Sequence, residues 1–235
     1  MTLSNAEQLV LSGMRLKDDA TFRNFFAGKN GLVVNFLQNY EMHSLDGFVY
    51  LWGKQNSGRT HLLHAVCLHA KEVGKTAIYL PMETLIQFDP SVFDGAENFD
   101  WICLDDVHLM AKQPLWELAL FHLYNRLQAK GLRLLMTAES APRELNVTLP
   151  DLQSRLTACT IFQLHSLTDQ EKCEALVLRA EMRGMQMPQE VSDFLLRRTS
   201  RNLSDLFDVL DKLDHASLAA QRRLTVPFVK TVLGI

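Results

Sequence analysis

The segment Gly53-Lys54-Gln55-Asn56-Ser57-Gly58-Arg59-Thr60 constrains the fold more than any other part of this chain. It has the G-x-x-x-x-G-K-[ST] spacing of a phosphate-binding loop, with arginine where lysine is usual. Such a loop works only between a buried strand and the start of a helix, and both flanks meet that condition. Phe48-Val49-Tyr50-Leu51-Trp52 is a short apolar run of β-formers. After the loop, Leu62, Leu63 and Val66 fall on one helical face. The glycines permit positive φ and close approach of the main chain to oxygens. Successive N–H groups and the helix N-terminus then bind phosphate, so residues 53–60 are the expected nucleotide cradle, with His61 beside it.

Two side chains set the chemistry of that cradle. Thr60 supplies the hydroxyl expected to face Mg²⁺. Arg59 keeps the positive charge of the missing lysine but carries it on a wide, rigid fork. A fork can grip a diphosphate bidentately. It is less suited to slide between the β- and γ-phosphates as lysine does. The expectation is a nucleotide-holding site with weak or no turnover of its own.

A second apolar run, Trp101-Ile102-Cys103-Leu104, ends in the carboxylate pair Asp105-Asp106. Parallel strands buried on both faces read as continuous apolar runs, and ligands sit at their carboxyl ends. Asp105 is therefore expected to orient a metal and Asp106 to polarise a water. Strands are predicted at 48–52, 76–80, 101–104, 132–137 and 160–164, with helical patterns such as Leu115–Tyr124 between them. Alternation of this kind predicts an α/β fold, a parallel sheet flanked by helices.

From about residue 166 the pattern changes to helix throughout. Thr168 and Glu171 have capping-box spacing, and Leu203, Leu206, Phe207, Leu210 and Leu213 form one apolar stripe. The expected organisation is a leader over 1–17, an α/β core over 18–165 and a small helical domain over 166–235. Residues 168–235 carry ten Lys+Arg against ten Asp+Glu, and the whole chain has a net charge of −3. Neither figure suggests direct, sequence-specific DNA binding. The four cysteines form no C-x-x-C pair, which fits a reducing compartment. No apolar run approaches the length needed to span a bilayer, so a cytoplasmic location without membrane partners is expected.

Several segments resemble one family. Ser57-Gly58-Arg59-Thr60-His61-Leu62-Leu63-His64-Ala65, the entry segment Thr21–Asn30 and the acidic Asp105-Asp106-Val107-His108 are similar to the nucleotide site of the bacterial replication initiator DnaA. Tyr50-Leu51-Trp52, Leu115-Trp116-Glu117, Asp151–Leu156 and Gln221–Lys230 extend the resemblance to the DnaA-homologous regulators of initiation within that family. It runs from about residue 18 to the end, and on it the chain is expected to lack DnaA's N-terminal interaction domain and helix-turn-helix DNA-binding domain.

The resemblance implies an AAA+ core followed by a helical lid, with ADP as the nucleotide and Mg²⁺ left open. It implies that Phe22 and Phe25 lie near the adenine and that Arg201 is a lid-borne sensor. It makes Arg155 an arginine finger acting in trans on ATP held by DnaA. At the end of the fourth strand it places a polar sensor, Thr137 or Glu139. Gln8, Leu9 and Leu11 match the start of a peptide that binds the sliding clamp, the β subunit of DNA polymerase III; the following Ser12-Gly13 departs from its usual continuation. The implied role is negative regulation of initiation at the nucleoid or replisome, with homo-oligomerisation left open. An autonomous AAA+ ATPase or loader is the alternative, because Thr60, Asp105 and Asp106 are all present.

Overall fold

In the computed structural model, residues 20–40 and 47–235 are described. Gln8, Leu9 and Leu11 lie outside them. The chain divides into two compact units.

The first unit comprises 20–23 and Lys29–His165. It begins with helix α1 (Gly31–Gln38), followed by β1 (Phe48–Trp52), α2 (Arg59–Glu72), β2 (Ala77–Pro81) and the short α3 (Met82–Leu85). Then come β3 (Trp101–Asp105), α4 (Pro114–Lys130), β4 (Arg133–Ala138), α5 (Pro150–Thr157) and β5 (Thr160–Gln163). The five strands form one sheet in the order β2-β3-β4-β1-β5, and every neighbouring pair is parallel. Parallel neighbours need long crossovers, which explains why helices stand between them. All five residues of β3 are buried, as its unbroken apolar run predicts. At the β5 edge exposure alternates, and Ile161 faces outward.

The alternating sides of each strand build two apolar layers. Tyr50, Ile102, Leu104, Leu134 and Met136 pack with Trp116, Leu120, Leu123 and Leu127 of α4 and with Leu152 and Leu156 of α5. On α2, Leu62, Leu63, Val66 and Ala70 are fully buried, and the helix packs on β2, β3 and β4. Each such leucine contributes about 1.5–3 kcal/mol by leaving water. Pro114 starts α4, and Gly131 ends it in the left-handed conformation that caps the last carbonyls.

Strand positions differ slightly from the sequence expectation. Strand β2 begins at Ala77 rather than 76 because the N–H and hydroxyl of Thr76 both donate to Asp100 (2.8 Å each). Strand β4 is shifted by one residue, from 132–137 to Arg133–Ala138, and its ladder with β1 continues to Trp52.

The second unit comprises Asn24–Gly28 and Ser166–Ile235. It holds α6 (Asp169–Met182), α7 (Gln189–Arg198), α8 (Leu203–Ala220) and α9 (Val226–Leu233). The capping box is formed: Thr168 Oγ1 accepts from the Glu171 N–H, and Glu171 accepts from the Thr168 N–H at 2.7 Å. Leu206, Leu210 and Leu213 meet Leu176, Val191, Leu195 and Val229 in a separate apolar cluster. No helix among the described residues is long and apolar enough to cross a membrane.

Candidate functional site

The loop after β1 is built for close contact with an anion. Its first residue, Gly53, donates its N–H to Ala138 O at 3.1 Å, and Leu164 N–H donates to Trp52 O at 2.7 Å, so the chain leaves the sheet between β4 and β5. A methyl group on Gly53 would stand 2.7 Å from both Leu164 O and Ser57 Oγ. Asn56 (φ 63°) and Gly58 (φ 92°) are left-handed. Helix α2 then starts at Arg59, and Leu62 N–H is bonded to Gly58 O, so the N–H groups just before it have no helical carbonyl to meet. Lys54, Gln55 and Asn56 are exposed, whereas Ser57 is buried and its Oγ has no hydrogen-bond partner. An array of main-chain donors at a helix N-terminus fits phosphate. Gly53→Ala is expected to lower the stability of the α/β unit by about 1–3 kcal/mol, since main chain must move to admit the methyl. A thermal melt unchanged within error would contradict this.

Beside the loop, Asp105 at the end of β3 collects three hydroxyls. Thr60 Oγ1 and the Tyr79 phenol donate to it at 2.8 Å each, and Thr137 Oγ1 donates to its other oxygen. Thr137 is fully buried and also accepts the Asp106 N–H at 3.0 Å. Burial first, then the Asp105 charge, pushes the Tyr79 phenol well above its usual range, so it remains a donor at neutral pH. Thr60 and Asp105 are the pair that would hold Mg²⁺ delivered with a nucleotide; among the described residues no group of three or more His, Cys, Asp or Glu could hold a metal. Such an ion supplies charge neutralisation to phosphate oxygens when bound.

Arg59 lies on the other side of this network. It is only 8% exposed. Its Nη2 is 3.1 Å from Asp106 Oδ1 and 3.5 Å from Glu139 Oε1. Its Nη1 is buried without a hydrogen-bond partner. Asp106 is left-handed (φ 58°), a conformation that aspartate tolerates better than most non-glycine residues. Burial and the neighbouring Asp105 raise the Asp106 carboxyl above its ordinary value, although Arg59 and His108 oppose the shift. The His108 ring completes the cluster, with Nδ1 3.8 Å from Asp106 and Nε2 4.0 Å from Glu139.

The remaining expected site residues are placed as follows. His61 Nε2 bonds the Thr21 carbonyl at 2.9 Å, beside Phe22, whose ring meets the His69 ring edge-on at 5.8 Å. Phe25 and Arg201 belong to the helical unit, where Arg201 is exposed and 3.4 Å from Asp169. Arg155, in the last turn of α5, rests its guanidinium 5.5 Å from the centre of the Tyr124 ring on α4. The structure thus brings together Arg59, Thr60, Asp105, Asp106 and Thr137 within the α/β unit; Arg155 stands on a different helix, against α4.

Three residues have contacts that the sequence did not assign. Tyr79 reads as an ordinary strand residue, and only the register Pro81↔Asp105 brings its hydroxyl to the carboxylate. His108 was part of the acidic motif without an assigned contact. Tyr124, beneath Arg155, reads as part of an apolar helix; burial pushes its phenol up to about 12.

Two family models match this chain. One, described as the bacterial DnaA ATPase domain, matches residues 16–163. The chain belongs to that DnaA family. The other, described as the Hda lid domain, matches residues 169–233. Domain III of the Thermotoga maritima replication initiation protein DnaA is 19% identical with a TM-score of 0.74, and the match covers 93% of this chain and 97% of that one. A replication initiator DnaA bound to AMPPCP and single-stranded DNA is 21% identical, TM-score 0.70, covering 83% of this chain and 64% of that chain's length. The Thermotoga maritima RuvB branch migration motor shares the fold more distantly, at 16% identity and TM-score 0.62, covering 89% and 67%. The fold is accordingly the DnaA-like AAA+ type, a parallel five-stranded sheet flanked by helices and then a helical lid domain.

Proposed function

We propose that this chain is a nucleotide-binding regulator of replication initiation of the Hda type, which turns DnaA off by stimulating hydrolysis of DnaA-bound ATP. The observation that carries this reading is the order of the two family matches, a DnaA ATPase domain followed by an Hda lid. The phosphate loop supports binding of a nucleotide, and relatives of this fold have been solved with AMPPCP. In the proposal residues 53–61 hold the phosphates of ADP, with Phe22 and Phe25 near its base and Arg201 as sensor. Thr60 and Asp105 hold Mg²⁺ if the nucleotide brings it, Thr137 senses the phosphates, and Asp106 would polarise water in any residual turnover.

Arg155 acts in trans. A guanidinium delivered to a partner's site neutralises charge that develops on the transferred phosphoryl group. Gln8, Leu9 and Leu11 are proposed to dock as an extended peptide on the DNA polymerase III sliding clamp, with the two leucines as anchors. That contact would bring Arg155 to DnaA on DNA.

The test follows hydrolysis of ATP held by DnaA, with and without this protein and DNA-loaded clamp. Stimulation that requires both is the expected result. Absence of stimulation, with vigorous intrinsic turnover that Asp106→Ala abolishes, would replace this reading with an autonomous ATPase.

A further inference from the structure

Four arginines, Arg59, Arg126, Arg183 and Arg201, each meet a carboxylate. The half-buried Arg155 meets a ring instead, with its guanidinium 5.5 Å from the centre of Tyr124. The two kinds of partner differ in effect. A carboxylate cancels the charge of a guanidinium, and an arginine held that way must break its pair before it can act elsewhere. A ring face attracts the cation without neutralising it. It also limits the rotamers of a long side chain, whose ordering on arrival at a partner's phosphate would otherwise cost rate.

Tyr124 is itself fixed. It is 4% exposed, and its ring packs on Phe48 at the start of β1 with the centroids 4.3 Å apart. Burial keeps the phenol protonated, and its hydroxyl donates to the Cys159 sulfur. The Cys159 thiol in turn donates to Arg155 O at 3.4 Å. Tyr124 thus reaches Arg155 twice, at the guanidinium through its ring and at the main chain through Cys159. We propose that Tyr124 is the positioning residue for Arg155, and that its ring holds the guanidinium charged and in one stance for the trans-acting role proposed above, on which this assignment rests. The hydroxyl steadies the turn after α5, whereas the ring sets the guanidinium, so stimulation follows the ring.

The test follows single-turnover hydrolysis of ATP held by DnaA at rising concentrations of the full chain, with loaded clamp. Tyr124→Leu is expected to lower the plateau rate about three- to tenfold while the half-saturating concentration stays put. Tyr124→Phe keeps the ring and is expected to stay within about twofold of wild type. A merely structural role would shift the half-saturating concentration, through loss of folded protein, and leave the plateau. NMR of the Arg155 Nε–H, assigned by its loss in Arg155→Lys, reads the same stance without DnaA. An ordered signal shifted by the ring is expected in wild type and Tyr124→Phe, and a mobile, unshifted one in Tyr124→Leu. The wild-type signal decides even where a variant is unstable. A mobile Arg155 signal in wild type overturns positioning by Tyr124. So does a folded Tyr124→Leu with the wild-type plateau, when Arg155→Ala abolishes stimulation; the trans-acting role of Arg155 then stands. Full stimulation by Arg155→Ala overturns both.

Discussion

Arg155→Ala is expected to remove the stimulation of DnaA-bound ATP hydrolysis while leaving the protein folded. A finger supplied in trans is worth roughly 10³–10⁵ in rate, so the loss should be nearly complete. The structural cost should be small. Arg155 lies in the last turn of the eight-residue α5 and makes a cation–π contact with Tyr124 at 5.5 Å. Such a contact is worth about 0.5–1 kcal/mol near a surface. The helix itself is anchored by Leu152 and Leu156, each 1% exposed, and these do not change. Arg155→Lys is the sharper control. It retains the charge but loses the planar fork, so it should recover little of the rate. Single-turnover hydrolysis of ATP bound to DnaA, with loaded clamp and each variant in excess, gives the comparison. Full stimulation by Arg155→Ala would remove Arg155 from the mechanism whatever the fate of the rest of the proposal.

The parts of this fold that were legible in the sequence are those set by neighbours along the chain. The loop from Gly53 to Thr60 announces its strand and helix through spacing alone, and the Thr168–Glu171 cap is a three-residue pattern. What was not legible depends on pairs far apart. Tyr79 and Asp105 are 26 residues apart, and nothing in either segment predicts the contact. At the end of β4 the sequence left Thr137 and Glu139 as alternatives for a sensor, and in the structure each makes a different contact in the cluster. Thr137 is buried between Asp105 and the Asp106 N–H, and Glu139, two residues on, reaches Arg59. Arginine in place of lysine was visible as an altered charge shape. Its engagement by two carboxylates required the register of β3 and β4, which places the ends of those strands side by side.

Glu117 is the extreme case of such a hidden contact, and its removal is expected to give the largest loss of stability. In the sequence it stands inside the apolar helical pattern Leu115–Tyr124 with no contact assigned to it. In the structure it is 1% exposed. Its carboxylate accepts the N–H groups of Lys112 (2.8 Å), Thr148 (2.9 Å) and Leu149 (2.8 Å) and the Thr148 hydroxyl (2.7 Å). One side chain on α4 thereby fixes the turn before that helix and the turn that leads into α5, the helix bearing Arg155. Glu117→Ala leaves these part-buried donors without their acceptor, and each costs about 1–3 kcal/mol where water cannot replace the carboxylate. Allowing for partial hydration, a loss of about 3–5 kcal/mol is expected from the four donors together, below the sum of their separate costs. Glu117→Gln keeps the volume but turns an amide toward donors, so it should lose a substantial part of the same stability.

Acid should expose the same dependence. Burial alone would raise the Glu117 carboxyl, but the bonds from Thr148, Leu149 and Lys112 outweigh it and hold the carboxyl below its ordinary value. A carboxyl depressed on folding stabilises the fold above its unfolded value, about 4.3, and that contribution is lost as pH falls toward the folded value. Wild type should therefore approach Glu117→Gln in stability below that pH and separate from it at neutrality. Tryptophan fluorescence isolates the relevant transition, because the chain's three tryptophans, Trp52, Trp101 and Trp116, all lie in the α/β unit. A difference between wild type and Glu117→Ala below about 1 kcal/mol at pH 7, the worth of one ordinary hydrogen bond, would mean that water takes over the role of the carboxylate and that the two turns hold without it.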